Sequence, residues 1–180
     1  DAIDWVKTTS GKPFFLWLAY NAPHTPLHLP PAGLYTQTNL SGTMADINAN
    51  PKSYFKASLE ALDHEFGRLL DTLTALKLLD NTDIIFIGDN GNGIRSSQIE
   101  DTARSKGTIY QYGVNVPFLI SGPSVINGGR VSEALVNTVD LFPTILELMG
   151  DSEWQSRLDT SKPLDCVSLA PIVSNTKEFV

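Results

Sequence analysis

Three short apolar runs with almost no polar interruption punctuate this chain: PFFLWLAY at 13–20, IIFI inside DIIFIGDNG at 83–91, and VPFLISGP at 116–123. Runs of this length, rich in β-branched and aromatic residues, predict strands, and those without alternation predict strands covered on both faces. Between the first two lies a helix signal. Pro51 suits a first turn, and Phe55, Leu59, Leu62, Phe66, Leu69, Leu73 and Leu76 step by four and three along one face, with Asp80, Asn81 and Thr82 as the stop. Ile3 and Val6 mark the last turns of a helix ended by Gly11 and Pro13. Residues 36–50 are polar and read as loop. Residues 131–136 read as a short strand or helix, Asp140 as the N-cap of a helix from Leu141, and Gly150 as its stop. LDCVSLAPIV at 164–173 offers a last short element. Helix followed by buried strand defines an α/β class.

In such sheets ligands gather where strands run out into loops. Here the first run leads to the proline-rich loop NAPHTPLHLPP with His24 and His28, the second to Asp89 and Asn90, and Lys106 lies in the long polar segment 89–115 before the third. Asp and Asn oxygens are hard donors suited to calcium or magnesium. A lysine supplies a point charge for a phosphate or sulfate oxygen, and a histidine a proton donor near working pH. Plainer readings stand beside these. Asp-Asn-Gly after a strand is commonly a turn, a histidine among prolines a surface residue, and a lysine a solvated charge. Trp5, Trp17 and Trp154 read as packing, and Cys166, with no basic neighbour, as a small hydrophobe.

Composition narrows the partners. The formal net charge of −7 and the absence of a Lys/Arg cluster argue against nucleic acid. A single cysteine excludes an intrachain disulfide, and no apolar run approaches the ~18 residues of a membrane span. No signal peptide is visible in DAIDWVKTTSGKP.

Six segments in order, PFFLWLAYNAPHTPL, LEALDHEFGRLLDTL, NTDIIFIGDNG, KGTIYQYGVNVPFLISGP, VNTVDLFPTILELMG and DCVSLAPIV, give the chain its resemblance to the sulfatase (arylsulfatase) family of the alkaline phosphatase superfamily. The likeness runs from about Pro13 to Val173 and corresponds to the second half of that catalytic domain. It implies a three-layer α/β fold with a mostly parallel or mixed central sheet, only partly represented, so that 1–180 is expected to be part of one catalytic domain. It implies that Asp89 and Asn90 are calcium ligands, that Lys106 grips a sulfate oxygen, and that His24 stands near the leaving-group oxygen. The family's nucleophile is a formylglycine made from Cys or Ser in a C/S-x-P/A-x-R motif, and no such motif occurs here. Cys166, followed by Val-Ser-Leu-Ala, fails the pattern, so the nucleophile and further calcium ligands are expected upstream. On its own the chain is then expected to be inactive and to hold metal weakly, since Asp89 and Asn90 offer only about three of the 6 to 8 oxygens calcium takes. Where the family often reads Glu-Gly-Gly-x-Arg, this chain has Gln111, Tyr112, Gly113, Val114 and Asn115. The expected substrate is a sulfated small molecule or carbohydrate, and the resemblance implies a periplasmic or secreted setting. A phosphoesterase or phosphoglycerol transferase of the same superfamily, or a non-catalytic sulfatase-like binding module, are the alternatives.

Overall fold

The computed structural model describes residues 1–9, 11–159 and 161–175. These divide into two compact units, one built from Asp1–Leu79 with Ile87–Phe118, the other from Asp80–Phe86 with the described residues from Leu119 onward.

The first unit is organised by one long helix. Helices α1 (Ala2–Thr9) and α2 (Met44–Ala49) both lie against α3 (Pro51–Ala75). Val6 of α1, Ile47 of α2, and Tyr54, Phe55, Ala57 and Leu73 of α3 form its core. The buried face of α3 is centred on Tyr54, Ala57 and Ser58, and Leu59, expected inside, is 40% exposed. Small residues at 57 and 58 let neighbours approach the helix closely. The tyrosine can be buried because its hydroxyl is satisfied: it donates to Asp46 Oδ2 at 2.5 Å and accepts from Gly42 N–H at 2.8 Å.

Helix α2 corrects the expectation of loop over 36–50. Thr43 caps it by accepting from Asp46 N–H at 3.3 Å, and the Asp46 carboxylate accepts in turn from Ser41 N–H at 2.7 Å and from the Asn50 amide at 2.6 Å. The Thr43-x-x-Asp46 spacing is a close variant of the capping box, and it was the available signal. Helix α3 ends sooner than Asp80. Lys77 takes φ +56°, and its N–H and that of Leu78 reach back to Thr74 and Leu73 carbonyls at 2.9 and 2.8 Å, a Schellman closure with lysine at the position glycine prefers.

Residues 13–20 form no ladder among the described residues, against the expectation of a strand. The backbone nevertheless keeps the two-residue alternation. Phe14 and Leu16 are half-buried, while Phe15 and Trp17 are 51% and 70% exposed. Trp17, at 70% exposed, does not pack as expected. Trp5 meets Phe14 edge-on, with ring centroids 5.7 Å apart.

In the second unit, strands β1 (Ile84–Ile87) and β2 (Phe118–Ser121) pair in a two-stranded sheet, of which Ile84–Phe86 and Leu119–Ser121 lie in this unit. All of β1 is half-buried rather than fully enclosed, a partial correction to the two-sided burial expected. Gly122 follows β2 at φ +147°, where a Cβ would stand 2.4 Å from Asp83 Oδ1. That approach lets Asp83 accept from Ser124 N–H and hydroxyl at 3.0 and 2.7 Å.

Helix α5 (Leu141–Leu148) and the single turn α6 (Ala170–Val173) pack together around Leu141, Pro143, Thr144, Leu169 and Val173. Residues 131–136 adopt neither strand nor helix. Asp140 does not cap α5 with its side chain. Asn137 caps the preceding 3-10 turn, while Asp140 accepts from Asn137 N–H at 2.8 Å and Val167 N–H at 2.9 Å. Trp154 is buried as expected, donating its indole N–H to Glu147 at 3.0 Å. Gly150, at φ +90°, closes α5 in a second Schellman arrangement.

Candidate active site

His24, Asp89, Asn90 and Lys106 all belong to the first unit. The loop after residue 20 turns tightly, His24 N–H donating to Asn21 carbonyl at 2.9 Å, and the Ala22–Pro23 and Thr25–Pro26 peptide bonds are cis. His24 Nδ1 lies 2.7 Å from Thr25 carbonyl, and its Nε2 lies 3.3 Å from Lys106 Nζ. A carbonyl only accepts, so Nδ1 carries the proton. A neutral ring then presents a lone pair at Nε2, and the Lys106 ammonium donates to it. The sequence places these residues 82 positions apart, and the fold brings them into contact.

Lys106 is held from both sides in the chain. Its own N–H donates to Asn92 carbonyl at 2.9 Å, which fastens it to the loop two residues beyond Asn90. Its neighbour Ser105 is buried, with the hydroxyl on Thr102 carbonyl at 2.5 Å. Arg104 stacks over Tyr110 at 4.8 Å.

Two glycines make this packing possible. A Cβ on Gly91 would stand 1.9 Å from Tyr112 carbonyl oxygen, and one on Gly113 would stand 2.3 Å from Thr108 carbonyl oxygen. Gly91 N–H instead donates to Gly113 carbonyl at 3.0 Å, pinning the loop after β1 to α4 (Gln111–Val114). The signal was present in the sequence as the glycine retained within Gln111–Asn115, but only the backbone approach explains it.

Asp89 is exposed and Asn90 half-buried. Asn90 N–H donates to Asp89 Oδ1 at 2.9 Å, and the Asn90 amide nitrogen donates to Gly91 carbonyl at 3.0 Å, so the side-chain oxygen of Asn90 is the atom it can offer a cation. Among the described residues no group of three or more His, Cys, Asp or Glu gathers as a metal site. Asp89 and Asn90 therefore fit a hard cation such as calcium by the chemistry of their oxygens, and as part of a ligand set. Cys166 lies in the second unit, half-buried, where burial first and then Asp140 and Asp165 push its thiol up. That environment disfavours the thiolate a nucleophile needs. Among the described residues no helix is long and apolar enough to cross a membrane.

The first unit thus brings Lys106 and His24 into contact, with Asp89 and Asn90 on the loop to which the Lys106 backbone is fastened. Comparison with known proteins gives the family. The sulfatase family profile matches residues 1–151, and the chain belongs to the sulfatase family, consistent with the alkaline phosphatase superfamily expected. It is 32% identical over 152 residues to an endo-4-O-sulfatase of Bacteroides thetaiotaomicron, covering 77% of this chain and 29% of that protein. It is 28% identical over 156 residues to the N-acetylgalactosamine-6-sulfatase of Homo sapiens, covering 83% of this chain and 27% of that protein. The crystal structure of Ps i-CgsB in complex with k-i-k-neocarrahexaose superposes with a TM-score of 0.75 at 27% identity, over 98% of this chain and 37% of that one. The chain thus spans under a third of the length of these two sequence relatives, and the α/β fold is shared.

Proposed function

We propose that this chain is part of the catalytic domain of a sulfuric ester hydrolase, contributing the residues that hold the sulfate and serve the leaving group. The observation that carries the reading is the 3.3 Å contact between Lys106 Nζ and His24 Nε2, fastened beside the Asp89–Asn92 loop by the Lys106 N–H to Asn92 bond.

The proposed roles follow from the donors and acceptors. Lys106 gives its ammonium to a non-bridging sulfate oxygen, a charge-assisted bond that gains strength as charge builds there in the transition state. His24 is held in position by Nδ1–H on Thr25 carbonyl, which directs Nε2 outward. Without an anion, Nε2 accepts from Lys106. With a sulfate drawing Lys106 onto its own oxygen, the ammonium no longer occupies Nε2, which is then open to a proton from solvent. A proton held at Nε2 then passes to the departing alcohol oxygen. Asp89 and Asn90 would hold part of a calcium site, and bound calcium would supply positive charge to the sulfate oxygens. The nucleophile, a formylglycine in the family this chain resembles, would come from outside these 180 residues.

The names of the relatives, an endo-4-O-sulfatase and an N-acetylgalactosamine-6-sulfatase, and the saccharide bound by Ps i-CgsB support a sulfated carbohydrate as substrate. The test is sulfate release by the full-length protein from 4-nitrophenyl sulfate and from saccharide sulfates, beside phosphate release from 4-nitrophenyl phosphate. Sulfate release dominating, and lost on chelation with return on added calcium, is the expected result. Preferential phosphate release would move the protein to the phosphoesterases, and no release from either would leave a binding module.

A further inference from the structure

Glycine follows asparagine at three steps of this chain, Asn90–Gly91, Asn92–Gly93 and Asn127–Gly128. Such a step can modify itself. The glycine nitrogen gives up its proton and attacks the asparagine Cγ, the Cγ–Nδ2 bond breaks, and ammonia leaves with the proton. Water then opens the succinimide ring at one carbonyl to give aspartate or at the other to give isoaspartate. Glycine favours the attack because it carries no side chain to crowd it. The reaction also needs a backbone nitrogen not committed to a hydrogen bond and a side-chain amide able to swing onto it.

The structure separates the three steps. At Asn90–Gly91 both reacting groups are held: Gly91 N–H donates to Gly113 carbonyl at 3.0 Å, and the Asn90 amide nitrogen donates to Gly91 carbonyl at 3.0 Å. At Asn92–Gly93 neither is held. Asn92 is exposed, and among the described residues neither its side-chain amide nor the Gly93 N–H has a hydrogen-bond partner. A Cβ on Gly93 would meet nothing nearer than Ser96 Oγ at 3.9 Å, so the space for attack is open. The Asn92 carbonyl accepts from Lys106 N–H at 2.9 Å. That carbonyl and the Gly93 nitrogen share one peptide group, so through its resonance the bond draws electron density from the nitrogen and makes its proton easier to remove. Asn127–Gly128, in the second unit, is also exposed and has neither group held among the described residues. It serves as the unguarded reference.

We infer that Asn92–Gly93 is a self-modification site, and that its conversion to isoaspartate unfastens Lys106 and inactivates the enzyme with age. The inactivation, though not the modification, rests on Lys106 being the residue that holds the sulfate. Isoaspartate routes the main chain through what was the side chain and so adds a methylene to the loop. The carbonyl that accepted from Lys106 N–H becomes a carboxylate outside the main chain. The lysine loses its backbone anchor on that side, and a new negative charge beside the anchor point opposes the approach of an anion. The guarded Asn90, one of the two residues proposed to hold the cation, is spared by the same loop that leaves Asn92 open.

The experiment ages the full-length protein in mildly alkaline buffer, wild type beside Gly93→Ala. Samples are read by peptide mass spectrometry for the gain of amide to acid, by isoaspartate-specific methylation, and by kcat/KM on 4-nitrophenyl sulfate. Gly93→Ala fits, since the space around Gly93 is open and its backbone lies outside the left-handed region, and the added methyl crowds the attack. In wild type, Asn92 and Asn127 are expected to convert while Asn90 does not, and kcat/KM is expected to fall in proportion to the fraction of Asn92 converted. Gly93→Ala is expected to convert at Asn127 alone and to keep its starting activity. Asn92 remaining intact, or Asn90 converting as fast as Asn92, overturns the modification site. Conversion of Asn92 with turnover unchanged overturns its link to Lys106. A fresh wild type that cleaves no sulfate ester overturns the sulfatase reading and the inactivation with it, and conversion at Asn92 then still supports the modification site.

Discussion

Lys106 and His24 are 82 positions apart in the chain; taken alone, one reads as a solvated charge and the other as a surface-loop histidine, and it is the resemblance to the sulfatases that singles them out. Their contact was not legible, since nothing in the spacing of residues says which loops meet. Gly91 and Gly113 fix one part of it, the close packing of the loop after β1 and of residues 105–108 on α4. A single methyl at either position collides with backbone carbonyl oxygen rather than with a side chain that can rotate away. Gly91→Ala is therefore expected to displace the loop carrying Asn92 from α4, reducing sulfate-ester turnover far more than it reduces helical content by circular dichroism. Normal turnover in Gly91→Ala would mean that the close approach has no part in holding Lys106. Asp89 makes a separate prediction. Asp89→Asn keeps the side-chain shape and removes one negative charge, so the calcium concentration giving half-maximal activity should rise. An unchanged calcium dependence would return Asp89 to the role of an ordinary turn residue.

Among the elements, α3 was visible from its periodicity, and its buried side was partly misplaced. The apolar count favoured Leu59, whereas the helix buries Tyr54, Ala57 and Ser58, because α2 covers that side and Asp46 satisfies the phenol. A polar partner of this kind does not appear in a hydrophobic pattern. The same carboxylate gives a pH prediction. The Tyr54 hydrogen bond first, with Ser41 N–H next, lowers Asp46 from 3.8 to about 2. A depressed carboxylate stabilises the fold above its unfolded value and loses that contribution as pH falls through the folded one. Amide-exchange protection over residues 41–58 should thus differ between wild type and Asp46→Asn near neutral pH, with the difference shrinking between about pH 4 and 2. A difference that persists below pH 2 would show that hydrogen-bond geometry, not charge, makes Asp46 matter. Helix α3 also ends at a non-glycine residue in the left-handed region, Lys77 at φ +56°. Lys77→Gly is expected to stabilise the protein by about 1 kcal/mol and raise Tm, as relief of that conformation implies. A lower Tm would mean the lysine side chain contributes more than its backbone costs.

For the whole chain, the α/β class was readable, with α3, β1, β2 and α5, while α2, α4 and the state of residues 13–20 were not. An apolar run predicts a strand, but 13–20 forms none among the described residues, because a ladder needs a neighbour that no single run can announce. Phe15 and Trp17 stand exposed in the first unit, and Val131 and Leu135 in the second. Matches covering 27% and 29% of the relatives fit the proposal that further sequence covers such surfaces and supplies the nucleophile. The central claim, that Lys106 holds the sulfate in the transition state, is tested most directly by steady-state kinetics of Lys106→Ala in the full-length protein. The expected result is a fall in kcat of about 10²- to 10³-fold, the scale of a lost oxyanion donor, with weaker inhibition by inorganic sulfate. An unchanged kcat with only a modest rise in KM would contradict it.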